Sequence, residues 1–240
     1  MKLGRWLLVG VSVVPWTQLP VAARAARVPT CFGQPATIIG TTGNDDLPGT
    51  LGNDVIVGLG GNDLITGSDG DDLICGGSGD DGVSGFAGHV MVSGGPGRDS
   101  VGNGGSDGVA DVLEGDGGPD SFKPGHPLVG DSIIGGAGTD VLILLLLDSG
   151  AQVDLSAGVV TSGGASDALA GIENVIGTNL DDTITGDANA NRLQGRGEND
   201  VIFGLDGDDL LNGGSGIDSL DGGDGFDVCQ KGESVTNCEA

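Results

Sequence analysis

Aspartate recurs at a fixed interval in this 240-residue chain. It stands at positions 45, 54, 63, 72, 81 and 99, then again at 182, 200, 209, 218 and 227, with Asn191 in phase between them. Each step is nine residues or a multiple of nine. Val90 is the one position in the first series where the acid is lost. Carboxylates at one fixed phase can do two kinds of chemistry, proton transfer or capture of a cation. Nothing basic or nucleophilic keeps the same phase, so the pattern favours a cation held by hard oxygen ligands.

The residues between the acids show what positions them. Written in blocks of nine from Gly40, the chain reads GTTGNDDLP, GTLGNDVIV, GLGGNDLIT, GSDGDDLIC, GGSGDDGVS, GFAGHVMVS and GGPGRDSVG. A second series from Gly177 reads GTNLDDTIT, GDANANRLQ, GRGENDVIF, GLDGDDLLN, GGSGIDSLD and GGDGFDVCQ. Two places after the acid comes an apolar residue: Leu47, Ile56, Ile65, Ile74, Val83, Val92 and Val101, then Ile184, Leu193, Ile202, Leu211, Leu220 and Cys229. The last three residues of each block predict a short strand with its central side chain inward. The first six predict a turn rich in glycine, because parts of it need backbone angles hostile to a Cβ.

This pattern is the G-G-x-G-x-D-x-U-x signature, U being apolar, of a calcium-binding parallel β-helix. The thirteen nonapeptides resemble the RTX family, the hemolysin-type calcium-binding repeat proteins. The resemblance implies an all-β fold, a right-handed parallel β-roll or β-helix solenoid with calcium ions between the turns. It also implies that two nonapeptides, eighteen residues, make one coil. Coils stacked at strand spacing, ~4.8 Å, then put Asp45, Asp63, Asp81 and Asp99 on one edge and Asp54 and Asp72 on the other. In the second array, Asp182, Asp200 and Asp218 share one edge, and Asn191, Asp209 and Asp227 the other.

Such a column opposes folding without a counter-ion. Two carboxylates ~4.8 Å apart repel by ~3.5 kcal/mol at an effective dielectric of 20. Calcium accepts 6–8 oxygens in flexible geometry, whereas magnesium demands a strict octahedron and keeps its waters. Zinc is disfavoured, since His89 and His126 are the only histidines and no thiol cluster exists. Pairing acids eighteen residues apart gives about seven calcium sites, with the 191/209 pair weaker because Asn191 is neutral. Asp111, Asp120, Asp131 and Asp140 are weaker candidates in a stretch where the phase slips. The bland alternative is a metal-free solenoid with an acidic face. It accounts for the glycine and the apolar period but not for the fixed phase of the acid.

Composition removes other classes. The formal net charge is −26, with Lys plus Arg 9 against Asp plus Glu 35. Outside the first 25 residues only Arg27, Arg98, Lys123, Arg192, Arg196 and Lys231 are basic, too few for a nucleic-acid face. There is no tyrosine and aromatics are 3%, so the aromatic anchors of ordinary enzyme cores are missing. Fifty-one glycines would suggest disorder, but 37% hydrophobic residues and a mean hydropathy of +0.09 supply a core.

Six segments are expected. Residues 1–25 read as a signal peptide: a basic start, an apolar run from Trp6 to Trp16, and small residues around Ala23 and Ala25. That run is too short to span a bilayer, so no stable membrane insertion is expected. Residues 26–39 form an N-terminal cap, 40–102 the first array, 103–176 degenerate repeats and a wider-coil spacer, 177–230 the second array, and 231–240 a C-terminal cap. A separate small domain is the alternative for the spacer. Within it, Val141 to Leu147 reads as one fully buried strand. Four cysteines allow three connectivities. Export and the need to cap both ends favour Cys31–Cys75 and Cys229–Cys238.

Catalytic signatures are absent. There is no H-E-x-x-H and no Walker motif, and His89 and His126 read as solvated loop residues. The expectation is a secreted, extracellular, non-enzymatic monomer that folds with calcium and serves a structural or matrix-type role. An adhesin, with a protein or glycan partner docking on 103–176, is the second reading. A hydrolase hidden in the same segment, built around His126, is the third.

Overall fold

The computed structural model describes residues 27–85, 87–103 and 107–239. The expected signal peptide, residues 1–25, lies outside the described residues. The described residues fold as an all-β parallel solenoid of about 11 coils, with no helix among them.

Two stacks of strands build it, one of ten and one of thirteen. Successive members of a stack are parallel and one coil apart, so Val55–Gly60 pairs with Leu73–Ser78 in a register that sets Ile56 against Ile74. The inward apolar residues thereby form two facing columns. In the ten-stranded sheet Leu47, Ile65, Val83, Val101, Phe122, Leu142, Val175, Leu193, Leu211 and Cys229 lie in successive register. In the thirteen-stranded sheet Ile56, Ile74, Val92, Leu113 and Ile133 do the same. Nearly all are fully buried. At roughly 1.5–3 kcal/mol for each large aliphatic side chain, this double column is the main source of cohesion. Every coil depends on its neighbours to bury its own pair.

The coil is not always eighteen residues. Ser100 pairs with Ser121, and Val112 with Ser132. Val141 pairs with Asn174 and Ser132 with Ala168, so one coil there spans more than thirty residues. The extra length goes into an antiparallel meander in the thirteen-stranded sheet. Ala151–Asp154 pairs with Val159–Ser162, which pairs with Ala165–Ala170. The outer two of these strands rejoin the parallel stack on either side.

The apolar run 141–147 is not one strand. Only Val141–Ile143 is extended. Leu144 and Leu147 are buried while Leu145 and Leu146 are exposed. The reason is the width of the sheet: after three residues the chain must turn, whatever its hydrophobicity.

The ends are stapled. Cys31 bonds Cys75 and Cys229 bonds Cys238, with Cα–Cα separations of 5.7 and 5.9 Å. Each tie joins a chain end to a coil of the solenoid.

Candidate metal centre

The acid of each block sits where the turn enters the strand, two residues before the inward apolar side chain. That position makes a ladder. The backbone N–H of each acid donates to Oδ1 of the acid one coil further on. Along the ten-stranded sheet, Asp45 donates to Asp63, Asp63 to Asp81 and Asp81 to Asp99, each at 2.8 Å. Asp99 then donates to Asp120 and Asp120 to Asp140, both at 2.7 Å. The same edge continues with Asn191 to Asp209 at 2.8 Å and Asp209 to Asp227 at 2.9 Å. Along the other edge Asp54 donates to Asp72, and Asp111 to Asp131, both at 2.9 Å. Asp182 to Asp200 and Asp200 to Asp218 are also 2.9 Å. All the acids named in the sequence therefore lie on two edges, including Asp111, Asp120, Asp131 and Asp140 from the phase-slipped stretch.

Four further ladder members lie outside the two expected arrays. Asp167 Oδ1 accepts from the N–H groups of Val129, Gly130 and Asp131 at 3.2, 2.9 and 3.0 Å. Glu173 accepts from Asp140 at 2.8 Å and Glu233 from Asp218 at 2.6 Å, while Glu239 accepts from Asp227. The three glutamates accept across separations of 33, 15 and 12 residues. Three of the four carry a legible signal: Asp167, Glu173 and Glu233 each precede an apolar residue by two, Leu169, Val175 and Val235.

The second carboxylate oxygen is the chemically exposed feature of this ladder. In Asp63, Asp72, Asp81, Asp99, Asp120, Asp140, Asp167, Asp200, Asp209, Asp218 and Asp227, Oδ2 is buried and has no hydrogen-bond partner. Burial without a partner disfavours the charged form. It raises Asp99 and Asp200 to about 7, and Asp72, Asp120 and Asp209 to about 6, the like charges of neighbouring acids adding to the effect. Asp131 also rises to about 6 by burial, reinforced by Asp167 and Asp111. Asp81, Asp111, Asp140, Asp167, Asp182 and Glu173 move upward for the same leading cause.

This donor set fits a hard cation. Among the described residues no three His, Cys, Asp or Glu side chains converge as a metal-binding group, so side chains alone do not make a site. Backbone carbonyls stand beside the orphaned oxygens instead. A Cβ built on Gly76 would meet Asp81 Oδ2 at 2.5 Å and the carbonyl oxygen of Gly94, one coil on, at 2.7 Å. The opening glycine therefore keeps clear a space bordered by a carboxylate and a carbonyl from adjacent coils. Mixed carboxylate and carbonyl oxygens are calcium ligands, and neither nitrogen nor sulfur is offered. The histidines are elsewhere. His89 is exposed with Nδ1 2.6 Å from the Ala110 carbonyl oxygen, and His126 Nε2 lies 3.0 Å from Asp148.

The model of the RTX calcium-binding nonapeptide repeat, four copies long, matches residues 48–83, 130–144, 167–202, 176–211 and 195–229. The chain carries RTX calcium-binding nonapeptide repeats. No curated protein matches it. The matched segments reach into the interrupted stretch, where they include Asp131, Asp140, Asp167 and Glu173. RTX repeats imply calcium binding. No catalytic family is found in the chain.

Proposed function

We propose that this chain is a secreted, non-enzymatic RTX solenoid whose folding is driven by calcium. The observation that carries the reading is the row of buried Oδ2 atoms without partners. Eleven such atoms are an electrostatic load that water cannot relieve once the coils close. Asp63, Asp72, Asp81, Asp99, Asp200, Asp209, Asp218 and Asp227, whose Oδ2 has no partner, would provide the carboxylates in the two arrays, with Asp111, Asp120, Asp131 and Asp140 weaker. When bound, the ion supplies positive charge that cancels repulsion along each edge. The protein's part is to hold one carboxylate and adjacent carbonyls in each turn, and to leave room for them with glycine. Ligand assembly and folding are then one event.

The two disulfides fit an oxidising, extracellular setting. Among the described residues no helix is long and apolar enough to cross a membrane. A structural or matrix-type role is the simplest use of a stiff rod that forms on meeting external calcium. The adhesin reading has one observation of its own. A groove of about 290 Å³ on the ten-stranded sheet is lined by Leu64, Val83, Lys123 and Leu146, with both leucines largely exposed.

A calcium titration of the chain without residues 1–25, under oxidising conditions, tests the proposal. Circular dichroism should turn from disordered to β between ~10⁻⁴ and 10⁻³ M calcium, and calorimetry should count several ions. Magnesium should not substitute. A chain already β-structured in chelator, with no heat on adding calcium, would sink it.

A further inference from the structure

The acid turns are of two kinds. In ten of them the second residue has a positive φ: Leu59, Ser68, Gly77, Gly95, Asp116, Gly136, Arg196, Leu205, Gly214 and Gly223, with φ from 69° to 116°. These ten turns end in Asp63, Asp72, Asp81, Asp99, Asp120, Asp140, Asp200, Asp209, Asp218 and Asp227, and in every one Oδ2 is a buried atom without a partner. In none of these turns does the second residue, or any other group, donate to Oδ2. Five of the ten are not glycine, so the conformation belongs to the turn and is imposed on the side chain.

Three turns differ at that residue. Thr41, Thr50 and Thr178 follow the opening glycine and none has a positive φ. Their backbone N–H groups donate to Asp45, Asp54 and Asp182 Oδ2, each at 2.6 Å. Their hydroxyls add a second bond to the same carboxylates, at 3.0, 2.8 and 2.9 Å. Each Oγ1 also accepts the N–H two residues on, from Gly43, Gly52 and Leu180, which closes the turn around the threonine. Asp54 and Asp182 are 6% and 2% exposed, as buried as the orphaned acids, yet neither has an unpartnered oxygen. The Asn191 turn reaches the same end by amide chemistry. The Asp187 N–H donates to Asn191 Oδ1 at 2.8 Å, and Asn191 Nδ2 donates to the Glu173 carbonyl at 3.0 Å.

We propose that Thr41, Thr50 and Thr178 decide where calcium is not bound. In these turns two protein donors take the place of the cation, and the carboxylate's acceptors are satisfied by hydrogen bonds. They open both arrays: Thr41 and Thr50 stand on the two edges of the first, and Thr178 begins the second. The Asp182 turn follows the meander strand Ala151–Asp154, whose Ala151 N–H donates to Asp182 Oδ1, so no acid of the preceding strand faces it. The ten left-handed turns are the calcium turns.

This inference rests on the calcium reading above, and the experiment separates the two. Equilibrium dialysis with labelled calcium counts the ions bound to the full chain and to variants, each checked for folding by circular dichroism at saturating calcium. Asp72→Asn and Asp200→Asn should each lower the number bound. Asp54→Asn and Asp182→Asn should leave it at the wild-type value. Thr178→Gly gives that turn the Gly-Gly opening of Gly76-Gly77 and should raise the number. A lowered number in Asp54→Asn or Asp182→Asn, or no increase in Thr178→Gly, overturns the threonine assignment while calcium binding stands. A wild-type chain that binds no calcium overturns both.

Discussion

The regular arrays and the interrupted stretch between them keep different things constant. In residues 40–102 and 177–230 every coil has eighteen residues, and the acids, the glycines and the inward aliphatic residues repeat together. In 103–176 the count breaks: Asp99 to Asp120 spans twenty-one residues, Asp111 to Asp131 twenty, and Asp131 to Asp167 thirty-six. Yet the carboxylate ladder continues through Asp120 and Asp140 to Glu173 and through Asp131 to Asp167, and both apolar columns continue, Leu113 over Ile133 and Phe122 over Leu142 and Val175. The solenoid is therefore not held to a nine-residue count. It is held to an acid at the strand entry and an apolar residue two places later. The largest difference in length is taken up by the antiparallel meander within the thirteen-stranded sheet.

That comparison can be broken most directly by removing calcium at pH 8. Hydrogen exchange in chelator should show the ladder amides of both arrays losing protection. The meander amides of Val160 and Leu169, held by backbone pairing and by a Gly158 carbonyl bond, should lose less. Equal loss across all of them would mean that the two regions answer to the ion alike.

Acid should partly replace the ion. The folded chain raises its buried carboxyl groups from the ordinary 3.8 to about 6 or 7, so protonation favours the fold. Stability of the calcium-free chain should be complete below about pH 3.8 and should fall as pH rises through 6 to 7. Urea midpoints in chelator at pH 4.5 and pH 8 check the sign. A higher midpoint at pH 8 would contradict the cost of the unpartnered oxygens. Calcium affinity should rise over the same interval.

Replacing Cys31 and Cys75 by serine should cost about 4 kcal/mol, the chain-entropy value for their 44-residue separation. Denaturant unfolding in calcium reads it. The effect should concentrate in the first array, and an equal loss of protection in the second would show that the coils unfold as one unit.

The smallest effect distinguishes single acids. Asp167→Ala leaves three N–H groups without an acceptor, of which that of Asp131 belongs to a buried residue, and should cost about 2 kcal/mol in chelator. Asp200→Ala leaves one, from Asp182, and removes an unpartnered buried charge, so its cost in chelator should be about 1 kcal/mol or less. Equal costs would mean that the interrupted stretch gains nothing from its irregular acid.

Much of this was legible before any coordinates. The nine-residue period placed the inward residues, and the eighteen-residue coil placed Asp45 over Asp63 and Asp182 over Asp200. Position along the chain was enough because each coil meets only its two neighbours. What the reading missed were Asp167, Glu233 and Glu239, which keep the spatial column while leaving the sequence phase, and Glu173, which keeps the phase but puts glutamate where the repeat has aspartate. Strand length at 141–147 was also misjudged, because hydrophobicity does not report where the sheet ends.

The sequence alone determined the solenoid, its two acidic edges and the cation chemistry, since a local repeat with a fixed phase can stack in few other ways. Tertiary structure decided which oxygen of each carboxylate is bonded and which is left open. That depends on the φ of the second turn residue and on a donor from the adjacent coil, and neither is written in the spacing. Threonine and glycine at that place look like ordinary repeat variation in the sequence. In the folded chain they separate turns whose Oδ2 is bonded within the turn from turns whose Oδ2 has no donor.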